Sequence, residues 1–113
     1  MTEIVIHCIP QIGTDAADVA TELRTYLQDA DGIDILVVKA EQPHVGLAEV
    51  LAIVQLSSAA IDLTGKLIDF IKSRQDKRRV KDIEVEIDGE RVPIGNLSPQ
   101  QRSRVAAAIA QEI

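Results

Sequence analysis

The chain has 113 residues, 46% of them hydrophobic and 27% charged, and twelve basic against eighteen acidic residues give a net charge of −6. This length predicts one domain, residues 1–113, whose core needs no disulfide or metal to hold it. The single cysteine excludes a disulfide framework, and the acidic balance argues against nucleic-acid binding, which needs a cationic face. Residues 1–10 lack the basic and apolar regions of a signal peptide, so we expect a cytoplasmic protein.

The first part of the chain reads as strand, helix, strand. A β-branched run over residues 3–9, apolar on both faces, predicts the first strand. A helix follows over residues 15–29, with Thr14 as its expected N-cap and Gly32 closing it. The second strand is predicted over residues 33–39, which indicates a right-handed parallel crossover.

The segment from Leu47 to Arg74 contains a single helix breaker, Gly65, and predicts one long helix. Such a helix would extend about 40 Å, whereas a strand of five or six residues covers about 17–20 Å. Its N-terminal half is apolar almost all round, so the part beyond the sheet would need a partner. The expected contact residues are Leu47, Val50, Leu51, Ile53 and Val54. The alternative is a helix buried centrally in the domain.

The last part of the chain predicts a hairpin and a helix. Asp88-Gly89 separates two alternating runs in a register that pairs Glu86 with Arg91. Ser98, Pro99 and Gln101 are typical of a helix start, and this helix would run to about residue 111. The order βαβαββα therefore predicts an α/β (α+β) domain with a mixed four-stranded sheet and three helices, one of them long and central.

No pattern in the chain predicts a catalytic, cofactor or metal site. His7 and Cys8 are adjacent on a strand, so their side chains point to opposite faces and cannot act together. His44 lies in a predicted loop, and the two histidines would still need a third metal ligand. The six glycines are dispersed, without a phosphate-binding loop. The chain is therefore predicted not to be an enzyme.

Two charged segments are also interpreted structurally. The outward row of Asp82, Glu84 and Glu86 is typical of a solvated strand face. The basic run from Lys72 to Lys81 fits a helix C-terminus followed by a solvated loop. Docking of this run to an acidic partner or to anionic lipid is the alternative.

Several segments resemble the first of the effector-associated constant component families. They are Leu23–Leu27, Gly46 opening an Ala/Leu/Val-rich stretch, Leu67–Lys72, and Ile83–Val92. The resemblance spans roughly residues 18–94. It implies a small non-catalytic accessory component, encoded beside effectors in bacterial NTP-dependent conflict systems, and it carries over no site residues.

The favoured hypothesis is thus an adaptor that binds a protein partner through residues 47–56. The resemblance implies an effector such as a peptidase, or a signalling NTPase; self-association is the other possibility. A second hypothesis is a small-molecule-binding regulatory module, with ligand near Pro10–Thr14 and Pro43–Gly46. A third is peripheral membrane attachment through the apolar segment and the basic run.

Overall fold

A computed structural model describes residues 3–44, 47–58, 61–75 and 79–111, and for residues 42–44, 47 and 75 it describes the backbone only. These ranges contain five strands and three helices. In chain order they are β1 (Ile4–Pro10), α1 (Ala16–Gln28), β2 (Ile33–His44), β3 (Leu47–Leu56), α2 (Leu63–Gln75), β4 (Val80–Ile87), β5 (Glu90–Pro93) and α3 (Pro99–Gln111).

The strands form one antiparallel sheet in the order β2-β3-β1-β4-β5. The predicted α+β class with three helices is confirmed, but the mixed four-stranded sheet is wrong. β1 and β2 do run in the same direction, yet β3 lies between them, so the predicted parallel pairing does not form. The unit from β1 to β4 has the element order of the split βαβ arrangement, which β5 and α3 extend.

The long central helix is also wrong. Residues 47–56 form strand β3, and the helix starts only at Leu63. A strand is favoured because β3 pairs on both edges, with β1 and β2, so its backbone hydrogen bonds are satisfied in the middle of the sheet. Helix α2 begins where the Asp62 carboxylate accepts a hydrogen bond from the Gly65 backbone N–H at 2.9 Å.

The helices cover one face of the sheet, and the core lies between the helices and that face. Every second residue of β3 from Val50 to Leu56 is at most 1% exposed, and α1 and α2 contribute Leu23, Leu27, Leu67 and Phe70. The only aromatic pair in the described ranges joins α1 to α2: the Tyr26 and Phe70 rings meet edge to face at 5.2 Å, and the Tyr26 hydroxyl donates to the Lys66 carbonyl at 2.8 Å.

Several local predictions are confirmed. Asp88 and Gly89 both have positive φ, and the hairpin pairs Glu86 with Arg91. At the start of α3, the backbone N–H of Gln101 donates to the Ser98 hydroxyl while the Gln101 side chain accepts from the Ser98 N–H. The N-cap of α1 is a correction: Asp15, not Thr14, accepts from the Ala17 N–H.

Candidate functional site

The second face of the sheet, here called the open face, carries the side chains that alternate with the core residues. On β3 these are Glu49, Leu51, Ile53 and Gln55, all half-buried, whereas their neighbours Val50 and Val54 are 0% exposed. One face of β3 is therefore buried against the helices, and no helix of the described ranges packs on its other face.

An apolar patch lies on the open face. Val37, Ile53 and Val5 stand directly beside one another on β2, β3 and β1, and Leu51 lies in the next row between Lys39 and His7. We call Val5, Val37, Leu51 and Ile53 the open-face patch. Contiguous exposed apolar patches mark contact surfaces in many proteins, and each of these four side chains is half-buried.

The predicted contact residues are divided between the two faces of β3. Leu51 and Ile53 belong to the open-face patch. Val50 and Val54 pack in the core and have no accessible surface for a partner. The side chain of Leu47 lies outside the described residues.

A cluster of charged residues borders the open-face patch. His7 Nδ1 lies 3.1 Å from Glu49 Oε1, and His7 Nε2 lies 2.7 Å from Glu86 Oε1. Arg91 Nη2 lies 2.9 Å from Glu49 Oε2 and 2.9 Å from Glu84 Oε1. We call these five residues the charged cluster. Four strands contribute to it, so only the folded sheet assembles it.

The geometry fixes the protonation state in which the cluster is complete. Ionised carboxylates only accept hydrogen bonds, so both contacts of His7 form together only when both of its ring nitrogens carry a proton. Burial opposes the ionisation of Glu49, but hydrogen bonds from Arg91 and His7 outweigh it and lower the pKa of this carboxyl. The pKa of Arg91 is raised by the same contact with Glu49, against the effect of burial.

Cys8 and Asp82 have structural positions. Cys8 is buried on the helix side of β1, opposite to His7 as predicted, and burial together with the nearby acids Asp82 and Glu22 raises the pKa of its thiol to about 12. Its thiolate is thus not available as a nucleophile. The Asp82 carboxylate accepts from the backbone N–H groups of Ile83 and Gly95 at 2.7 and 2.9 Å, which fixes the chain after β5.

Two arginines of the basic run, Arg74 and Arg79, are paired within the fold. Arg79 Nε lies 3.0 Å from a Glu22 oxygen, and Arg74 Nε lies 3.8 Å from the same oxygen. The Arg74 guanidinium also lies 4.8 Å from the centre of the Phe70 ring. Lys77 and Arg78 lie outside the described residues.

A concavity of about 260 Å³ lies at the end of the sheet beyond the charged cluster. Its lining consists of residues 9–14, with Ala48 and Lys81. Lys81 sits where the β1–β4 register shifts, so it falls out of the paired ladder. The segment Pro10–Thr14, predicted to contact a ligand, is therefore part of a concave surface. The second predicted segment, Pro43–Gly46, is not the expected loop, because Pro43 and His44 belong to strand β2, and Val45 and Gly46 lie outside the described residues.

Within the described ranges, no three His, Cys, Asp or Glu side chains are arranged to hold a metal ion. No helix in the same ranges combines the length and apolarity that a membrane crossing needs. Comparisons with protein-family models, with curated proteins and with solved structures find no match to this chain.

Sequence reasoning missed the charged cluster. The hairpin register placed Glu84, Glu86 and Arg91 on one face, which was a usable signal. The sequence does not add Glu49 to this group, because its pattern predicts a helix around this residue. Without Glu49 and the position of β1, His7 had no identifiable partners.

Proposed function

We propose that the chain is a non-catalytic accessory component that binds another protein through the open face of its sheet. The open-face patch carries this proposal: four contiguous aliphatic side chains lie on the face that no described helix covers. The resemblance of the sequence to effector-associated components supports the same role, with an effector such as a peptidase, or a signalling NTPase, as the partner.

The charges around the open-face patch indicate which kind of partner would bind to it. The open face carries more carboxylates than cations. Its cations are Lys39, Arg91 and, when protonated, His7, and the carboxylates around the patch are Asp34, Glu41, Glu49, Glu84 and Glu86. An acidic surface favours a partner segment that presents basic and apolar residues. A second copy of the same face would instead bring two acidic surfaces together, so we propose a cationic partner rather than self-association.

Docking by strand addition at the β2 edge is less favourable than docking on the open face. The β2–β3 register shifts at Leu36, which leaves an extra residue in the edge strand. The Val38 carbonyl already accepts a hydrogen bond from Arg24 Nη2 at 2.8 Å. Both features obstruct a further strand at this edge.

The experiment uses a short synthetic peptide of alternating lysine and leucine, with a glutamate and leucine peptide of the same length as control. We expect the lysine peptide to shift backbone NMR signals of β1, β3 and β4, and Ile53→Lys to abolish these shifts. Ile12→Lys is the matched control, because Ile12 is fully exposed on the loop after β1, away from the open-face patch. Equal binding of both peptides, or shifts elsewhere only, would contradict the proposal; a dimer that protects the open face would favour self-association.

A second candidate function is small-molecule binding at the sheet-end concavity, which the lining by residues 9–14 and Lys81 favours. The Lys81 ammonium fits a small organic anion, and the Ile9 and Ile12 side chains fit its apolar part. We expect branched-chain carboxylates to raise the melting temperature of the chain but not that of Lys81→Ala. The same shift in both proteins, or none in either, would remove this candidate.

A further inference from the structure

We propose that His7 regulates docking on the open face: its imidazolium neutralises the carboxylates of the charged cluster, and its deprotonation makes them available to a cationic partner. This inference rests on the proposed function and adds its regulation.

His7 and a cationic partner would compete for the same carboxylates. A partner's lysine or arginine would pair with Glu86, whose side chain is 37% exposed. The ring of His7 already lies 2.7 Å from the Glu86 carboxylate and, when protonated, forms an ion pair with it. The side chain of His7 is only 10% exposed. His7 therefore competes for Glu86 from within the sheet, whereas a partner would approach Glu86 from solvent. Among the described residues, Glu86 has no other cation within ion-pair distance.

The charged groups around His7 come from three other strands. Glu49 projects from β3, Glu84 and Glu86 from β4, and Arg91 from β5. With His7 protonated, three carboxylates oppose two cations, and the cluster carries one negative charge. Loss of the ring proton raises this to two, and at least one carboxylate then loses its hydrogen-bond donor.

Glu49 and Glu86 do not depend equally on His7. Glu49 keeps its contact with Arg91 whatever the state of the ring. Glu86 has only the ring, so a neutral imidazole holds it by a weaker, uncharged hydrogen bond or not at all. Deprotonation therefore acts mainly by exposing negative charge at Glu86, on the accessible side of the cluster.

The test measures the affinity of the lysine and leucine peptide across about pH 5 to 8. We expect binding to strengthen by about two- to fivefold as the pH rises, the effect of one partly exposed charge pair. His7→Gln should bind with little pH dependence, at the level of the wild type at high pH. His44→Gln, which replaces the chain's other histidine, should keep the wild-type profile.

The outcomes separate the two proposals. Absence of peptide binding at every pH would overturn the proposed function. Binding that is independent of pH in the wild type, or a pH dependence that survives in His7→Gln, would overturn the role of His7 alone. If His7→Gln fails to fold by circular dichroism, the wild-type ring nitrogens give the answer by NMR: both must carry protons where peptide binding is weak, and one where it is strong.

Discussion

Two consecutive residues of β3 provide the sharpest test of its two-faced character. Val54 is 0% exposed in the core, and Ile53 is half-buried on the open face. Val54→Lys removes a buried side chain that contributes about 1.5–3 kcal/mol and places an ammonium group in apolar surroundings, which costs several kcal/mol more. The total, about 5 kcal/mol or more, is comparable with the lower end of the roughly 6–17 kcal/mol expected for a chain of this length.

Ile53→Lys is the matched variant on the other face. Its aliphatic stem can lie along the sheet while the ammonium stays in water, so the cost is about 1 kcal/mol, the full span of strand propensities. Urea unfolding followed by circular dichroism should show a cooperative transition for Ile53→Lys, with its midpoint lowered by about 0.3–1 M. Val54→Lys should lower the midpoint several times as far, and it should be largely unfolded without urea if the wild type lies at the lower end of that stability range. Similar unfolding midpoints for the two variants would refute the alternation, because a helix or a fully buried strand would not distinguish the two positions in this way.

Three further predictions concern the charged cluster, a helix cap and the thiol. The lowered pKa of Glu49 means that its contacts with His7 and Arg91 stabilise the fold at neutral pH, and that this contribution is lost as the pH falls through the folded-state pKa. The difference in urea midpoint between the wild type and Glu49→Gln should therefore shrink on acidification. A difference that stays constant with pH would contradict this. Ser98→Ala should lower the free energy of unfolding by about 1 kcal/mol, measured by thermal unfolding, since the hydroxyl caps α3. Cys8 should react with a thiol reagent only at the rate of unfolding, and rapid labelling of the native protein would contradict its burial.

Local signals in the sequence predicted the fold where they were specific. The hairpin and the start of α3 follow from Asp88-Gly89 and from Ser98 with Gln101, because these residues act within a few positions of one another. The strand order could not be predicted, since it depends on long-range pairing. Placing β3 between β1 and β2 joins residues that are more than forty positions apart, such as Val5 and Ile53.

The error over residues 47–56 has an identifiable physical cause. Leucine and alanine are good helix formers, and the segment contains neither proline nor glycine after Gly46, so propensity favoured a helix. The contrary signal was the spacing of Glu49 and Gln55. Six positions place them on different sides of a helix but on the same face of a strand, which is where the structure has them. Pairing on both edges then outweighed the local propensity.

The proposed partner surface depends on the two faces of β3 and not on the length of a helix. The original reason, a helix too long for the sheet to cover, is wrong because that helix does not exist. A central strand of a sheet covered on one side needs apolar residues only at alternate positions. The core of this chain is supplied by Val50, Val54 and their even-numbered neighbours, so Leu51 and Ile53 are not required there. The proposed binding surface for a basic and apolar partner would account for their presence on the open face, beside the charged cluster.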